Sequence, residues 1–308
     1  MRNSSLSFSI FWSLLKESAT QWMADNPFQL AAALAYYTIF SLVPLLLIVI
    51  AIAGLVVGQE ATERQVLTTL QGFVGPNGAQ AIQAMLRSAN SFGSGVLATV
   101  LCILTLALGA SGGVGQLHQA LNTVWEVEAK SGNGLLGLLR ERFVSFSMIL
   151  GLAFLLLVSL VVSAILTAAV QALSGWLPGG ELLWHSIEFL VSLGLITLLF
   201  ALIYKILPDA RIAWRDVWIG AAMTALLFTV GKFLIGLYLG HSSMMSAYGA
   251  AGSLVVILVW VYYSALILFF GAEFTQVYAN TLGSGVAPDE HAGPKEEPQP
   301  VVHNNGRA

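Results

Sequence analysis

From Gly252 to Ala279 the chain reads GSLVVILVWVYYSALILFFGAEFTQVYA, and Glu273 is the one charged residue in it. As a helix rising about 1.5 Å per residue, this stretch outspans the roughly 30 Å hydrocarbon core of a bilayer. It is apolar on all sides rather than along one stripe, so lipid or other helices surround it. Five runs of the same kind lie upstream, at about Phe28–Val57, Val96–Leu108, Phe143–Leu173, Leu183–Leu207 and Val217–Leu239. The composition fits: of 308 residues, 57% are hydrophobic and 9% charged, where a soluble domain carries roughly 25% charged residues. The net charge is −3, and the 13 Lys and Arg are scattered, which offers no footprint for nucleic acid. Cys102, the one cysteine, lies inside an apolar run and can make no disulfide within the chain.

The segments between the runs set the orientation. Arg2 and Lys16 precede the first run; Lys130, Arg140 and Arg142 lie in 116–142; Lys205, Arg211 and Arg215 lie in 205–216. Segments 174–182 and 240–251 hold neither Lys nor Arg, and 58–95 holds Arg64 and Arg87 over a longer stretch. Basic loops stay inside, so both termini and the two basic loops are expected in the cytoplasm. The expected fold is all-α: a polytopic membrane helical bundle of six transmembrane helices, with an N-terminal amphipathic helix and an extracytoplasmic helical hairpin. It divides into an N-terminal helix (1–26), a membrane domain (27–282) and a disordered cytoplasmic tail (283–308) rich in Gly, Pro and acids.

Several local signals refine this plan. Phe8, Phe11, Trp12, Leu15, Ala19, Trp22 and Met23 share a helical face over residues 8–23, suited to the headgroup region or to packing on the bundle. No small-residue cleavage pattern follows it, so a cleaved signal peptide is not expected. Asp25-Asn26-Pro27 supplies a cap and a first-turn proline. Pro44 is a candidate kink, because it lacks an N–H and crowds the preceding turn. Segment 58–95 is amphipathic, and Gly75-Pro76-Asn77-Gly78 predicts the turn of a hairpin. The run 96–108 is short and enters a glycine-rich stretch, where Gly109, Gly112, Gly113 and Gly115 predict a helix break that other helices or a wet cavity must cover.

Three ionisable residues lie well inside predicted spans: Glu188, Lys232 and Glu273. Each costs about 2.5–3.5 kcal/mol near a bilayer centre, so each calls for a pathway role or a structural ion pair. His185, Glu188 and Ser192 share one helical face, with His185 near the outer mouth. Gly54 with Gly58 and Gly236 with Gly240 are small-residue spacings for close packing, within the bundle or across a homo-oligomer. Tyr36, Tyr37, Trp260, Tyr262 and Tyr263 place donors inside spans, where each needs an acceptor. Gly109-Ala-Ser111-Gly-Gly113 fits the serine-hydrolase elbow in letters only, since a helix precedes it. Gly132 to Gly137 fits a dinucleotide fingerprint by chance, and no Walker lysine or metal spacing is present. No catalytic residue, cofactor or metal is therefore expected.

Several stretches resemble the YihY/BrkB family of bacterial inner-membrane proteins. They are AAALAYY from Ala31 into Ser41-Leu-Val-Pro44, Ala120-Leu-Asn-Thr-Val-Trp125, Leu155-Leu-Leu-Val-Ser159, Ile206-Leu-Pro-Asp209 and Gly231-Lys232. Two more are Tyr248-Gly-Ala-Ala-Gly-Ser253 and Gly271-Ala-Glu-Phe274, with Trp260 and Tyr262 between them. The resemblance covers about residues 20 to 280 and implies a six-helix inner-membrane fold. It brings an old ribonuclease label, a virulence-factor label and a link to lipid export in the envelope, with no catalytic residues. The expected function is movement of a lipid-like or amphipathic substrate, or a part in envelope biogenesis. A ribonuclease and a membrane scaffold without substrate are the alternatives.

Overall fold

The computed structural model describes residues 8–91, 112–129, 181–241, 252–290 and 292–294. The runs at Val96–Leu108 and Phe143–Leu173, and Gly109, lie outside the described residues. The described chain forms α1 (Phe8–Ala24), α2 (Pro27–Val57), α3 (Gln59–Ser91), α4 (112–124), α5 (Glu181–Ile206), α6 (Trp214–His241) and α7 (Gly252–Thr281). Four short strands join them: β1 (Val127–Ala129), β2 (Ala210–Arg211), β3 (Ala287–Pro288) and β4 (Ala292–Pro294). Strands β1 and β4 pair antiparallel, as do β2 and β3.

The protein is mostly helical, and three described helices are long and apolar enough to cross a membrane: Phe189–Ile206, Trp214–Leu237 and Val255–Thr281. Helix α6 shows why. Trp218, Leu226, Val230, Phe233 and Leu237 project outward and exposed, while Val217, Ala221, Thr224 and Ala225 are buried. An apolar stripe of that size in water would be an aggregation site; against lipid it is covered.

The buried faces of α6 and α7 meet through small residues. A Cβ on Gly220 would overlap Thr275, and a Cβ on Gly271 would overlap Thr224. Each threonine turns its hydroxyl back onto its own helix, Thr224 to the Gly220 carbonyl at 2.8 Å and Thr275 to the Gly271 carbonyl at 2.6 Å. The two helices thus interlock threonine over glycine, each threonine side chain, hydroxyl foremost, filling the gap the other helix leaves. Tyr204 of α5 closes the knot: its hydroxyl donates to the Leu268 carbonyl at 2.8 Å and touches Thr224 Oγ1 at 3.0 Å. Farther along, Gly231 lets the Tyr263 ring approach. Gly236, by contrast, has no neighbour within 4 Å of its Cβ position, and Gly58 ends α2 at φ 95 rather than packing a helix.

Two expectations are corrected. Helical backbone runs through Gly75–Gly78, so 59–91 is one helix with Pro76 inside it rather than a hairpin. Pro76 is exposed, and the residues beyond it, Ala79, Ala81, Ile82 and Leu86, are buried; Ile82 and Leu86 pack in one cluster with Leu46, Ile50 and Ile257. Burial of that face outweighs the single lost hydrogen bond. The tail is ordered as far as it is described: β3 and β4 lie within 283–294, and Ala292 is buried in the main core. Residues 295–308 lie outside the described residues.

The start of α2 matches its signal in part. Asn26 adopts a left-handed conformation at φ 53, with Pro27 in the first turn, but its side chain makes no cap bond. Helical backbone continues through Pro44, which offers no N–H to the Phe40 carbonyl.

Candidate functional site at one end of the bundle

Glu273 lies roughly two turns before the end of α7. It is 2% exposed, and its Oε2 has no hydrogen-bond partner. None of the ion pairs among the described residues reaches it. The charged groups in electrostatic range are two more carboxylates, Asp25 at the end of α1 and Glu126 at the end of α4. The half-buried Asp25 and the exposed Glu126 thus both act on the buried Glu273, and no cation is among those groups. A buried polar atom without a partner costs about 1–3 kcal/mol, so the fold tolerates a site it would be more stable without.

The aromatic residues beside these acids share the feature. Trp22, one turn before Asp25, meets Phe270 edge-on at 5.8 Å, three residues before Glu273 on the same helix. Trp125, next to Glu126, is 2% exposed. The indole Nε1 of both tryptophans and the Gln21 Oε1 have no hydrogen-bond partner. Unpaired indole donors thus stand next to both acids that act on the unpaired Glu273 acceptor, Trp22 near Asp25 and Trp125 beside Glu126. Among the described residues, the two non-glycine residues with positive φ are Asn26 and Glu126, both at 53°, the first next to Asp25 and the second itself one of these acids. Backbone in that region is uncommon for such residues and marks chain direction imposed by the surroundings.

A second polar group sits on the same end. Asn122 Nδ2 donates to Asp209 Oδ2 at 2.9 Å, and the Asp209 N–H donates to Asn122 Oδ1 at 2.9 Å. His118, one turn before Asn122, brings Nε2 to 3.1 Å from Asp209 Oδ2, an ion-pair distance without hydrogen-bond geometry. The Ala120–Trp125 and Ile206–Asp209 motifs are thereby tied to each other. Lys205 donates to the Ile212 carbonyl and lies 5.8 Å from the centre of the Trp214 ring, which fixes the α5–α6 turn. Arg211 holds Asp289 and Glu290 at 2.7 Å each. The hydrogen bond that Arg211 donates to Glu290, then that to Asp289, raises the Arg211 pKa and keeps it cationic.

The residues singled out in the sequence fall in several places. Glu273 is in the junction just described. Lys232 is half-buried on α6, level with Tyr263, since Gly231 contacts that residue while Thr224 contacts Gly271. That puts Lys232 about 15 Å along the bundle from Glu273. His185 and Glu188 are on the helical backbone of α5, but their side chains lie outside the described residues. Gly113 and Gly115 have helical backbone within α4 and Gly112 is its first described residue, while the stretch from Gly109 to Ser111 lies outside the described residues. A Cβ on Gly112 would come within 2.5 Å of the Tyr37 ring, and close approach of α2 is what that glycine permits. No group of metal-ligating side chains occurs among the described residues.

Long apolar helices with lipid-suited faces define an integral membrane protein of the helical class. The chain belongs to the virulence factor BrkB family, whose model matches residues 18–296. It is 29% identical over 259 residues to a UPF0761 membrane protein of Pseudomonas aeruginosa (strain LESB58), covering 82% of this chain and 60% of that protein. A UPF0761 membrane protein of Tolumonas auensis is 29% identical over 260 residues, covering 80% of this chain and 78% of its own length. One from Alkalilimnicola ehrlichii is 30% identical over 264 residues, with 85% and 57% covered. The chain thus spans about 60% of the length of the Pseudomonas relative. No solved structure matches.

Proposed function

We propose that this protein is a non-enzymatic transporter that moves a lipid-like or amphipathic substrate in the bacterial inner membrane, in support of envelope biogenesis. In this reading the bundle has six spans, both termini are cytoplasmic, and the Glu273 junction faces the cytoplasm with the basic 205–216 loop. The observation that carries it is the buried, unpaired Glu273 beside Asp25 and Glu126. Intramembrane carboxylates are costly, and their usual use is on a path for ions or substrate. Exposed Trp12, Phe28, Trp214 and Trp218 suit the headgroup layer on both sides of that junction.

The test is flux of a fluorescent phosphatidylethanolamine across vesicles of phosphatidylethanolamine and phosphatidylglycerol. Wild-type protein should speed flux, Glu273→Gln should remove most of that gain, and Lys232→Ala should report whether the path extends along α6. Flux unchanged by both substitutions would take the intramembrane charges out of the mechanism. A scaffold without substrate is the second reading, favoured by the tight threonine–glycine lock between α6 and α7. It expects no flux above empty vesicles. RNA cleavage by nuclease-free protein, lost in Glu126→Gln, would revive the ribonuclease label.

A further inference from the structure

Beyond α7 the chain does not leave the bundle. It turns back on itself, with the Leu282 and Gly283 N–H groups both on the Tyr278 carbonyl, at 2.9 and 3.0 Å, and Gly285 at φ 79. The Ser284 N–H then donates to Asp216 Oδ2 at 2.9 Å, at the start of α6. Next, β3 pairs with β2 in the α5–α6 turn, and the Asp289 N–H donates to the Asp209 carbonyl at 2.9 Å. Finally β4 pairs with β1, the strand that follows Glu126 directly. One segment therefore touches the ends of α4, α5, α6 and α7 in turn.

The attachments of this segment are numerous but individually weak. Most of it is exposed or half-buried, and Ala292 is its buried apolar anchor. The Arg211 pairs are open to solvent, with side chains 46–75% exposed, so salt screens them. Two- and three-residue ladders with few apolar contacts belong to the part of a structure that opens locally before the rest. What it covers is different in kind: Asp216 is 2% exposed, and Asp209 is the node that holds Asn122.

We propose that the described residues after α7, Leu282 to Glu290 together with β4, form a detachable strap that clamps the strand after Glu126 and the α5–α6 turn onto the end of α7, and that its release opens the Glu273 junction. The second half of this inference rests on the transport reading; the first half does not. Closed, the strap holds β1, the strand that follows Glu126, through its pairing with β4. Released, β1 loses its partner, and the end of α4 is free to move away from Glu273.

Two variants test it in the full-length protein. Asp289→Asn with Glu290→Gln removes the charge that Arg211 holds, and should raise the rate of protease cleavage within the strap by roughly threefold to tenfold. Added salt should accelerate cleavage in wild type and not in that variant. Ala210→Cys with Pro288→Cys, in a Cys102→Ala background, places a thiol on each of two directly paired residues. Oxidation should fasten the strap and cut flux of the fluorescent phosphatidylethanolamine by about tenfold or more, and reduction should restore it. Cleavage indifferent to both charge and salt would overturn the strap as a detachable element. Flux as fast in the oxidised as in the reduced protein would overturn its control of the junction. Absence of flux in wild type refutes the transport reading instead, and the cleavage experiment still judges the strap.

Discussion

Glu273 and Asn122 show opposite solutions to burying a polar group. Asn122 and Asp209 satisfy one another twice, so Asn122→Ala should strand the Asp209 N–H and weaken the hold on its carboxylate. The expected loss is about 1–3 kcal/mol, read as a lower unfolding temperature in detergent, and an unchanged temperature would contradict the pairing. Glu273 is left unpaired, so Glu273→Gln should leave stability within about 1 kcal/mol or raise it while activity falls, the pattern of a residue kept for function at a cost in stability. A large loss of stability would assign Glu273 a structural role instead. Of this site, Glu273 was visible in the sequence because it is a lone charge in an apolar helix. Trp22, Asp25, Trp125 and Glu126 were not singled out as a site, because each sits beside a loop or on an amphipathic face where such residues are ordinary. Only the convergence of α1, α4 and α7 makes them a group.

Among elements, the lock between α6 and α7 makes the sharpest prediction. Gly220→Ala or Gly271→Ala must push a threonine out of a filled gap, and should destabilise by about 1–3 kcal/mol. Gly236→Ala meets nothing within 4 Å and replaces a poor helix former with a good one, so it should be neutral or stabilising by up to about 1 kcal/mol. Thermal unfolding of the three variants side by side checks both, and equal shifts would refute the packing. The small-residue spacing at Gly236 and Gly240 did not mark the α6–α7 contact, which runs through Gly220 and Gly271, because spacing alone does not say which face of the helix is buried within the chain. The apolar runs were read well at this scale: α2, α5, α6 and α7 begin and end within about three residues of the stretches expected. Where local turn chemistry competed with burial, at Pro76, burial won. Where composition suggested a loose tail, backbone pairing to β1 and β2 held it, and no hydrophobic period announces a strand of two or three residues.

At the scale of the molecule, the membrane class was legible from composition and run length alone, since lipid imposes a coarse and unmistakable constraint. Orientation rests on the alternation of basic and uncharged segments. It predicts that an impermeant thiol reagent applied to intact cells labels a cysteine placed at Ser174–Glu181 but not one at Arg211 or Glu290; the reverse labelling would invert the account. The central claim is that a polar route reaches Glu273 from the strap end of the bundle. The most direct test is Glu273→Cys in the Cys102→Ala background, treated with a small water-borne thiol reagent in reconstituted vesicles. The introduced thiol should react slowly while the strap is closed and several-fold faster when Arg211→Glu is added to loosen it. No reaction in either protein, with the denatured controls fully labelled, would contradict the route and leave Glu273 as a sealed structural charge.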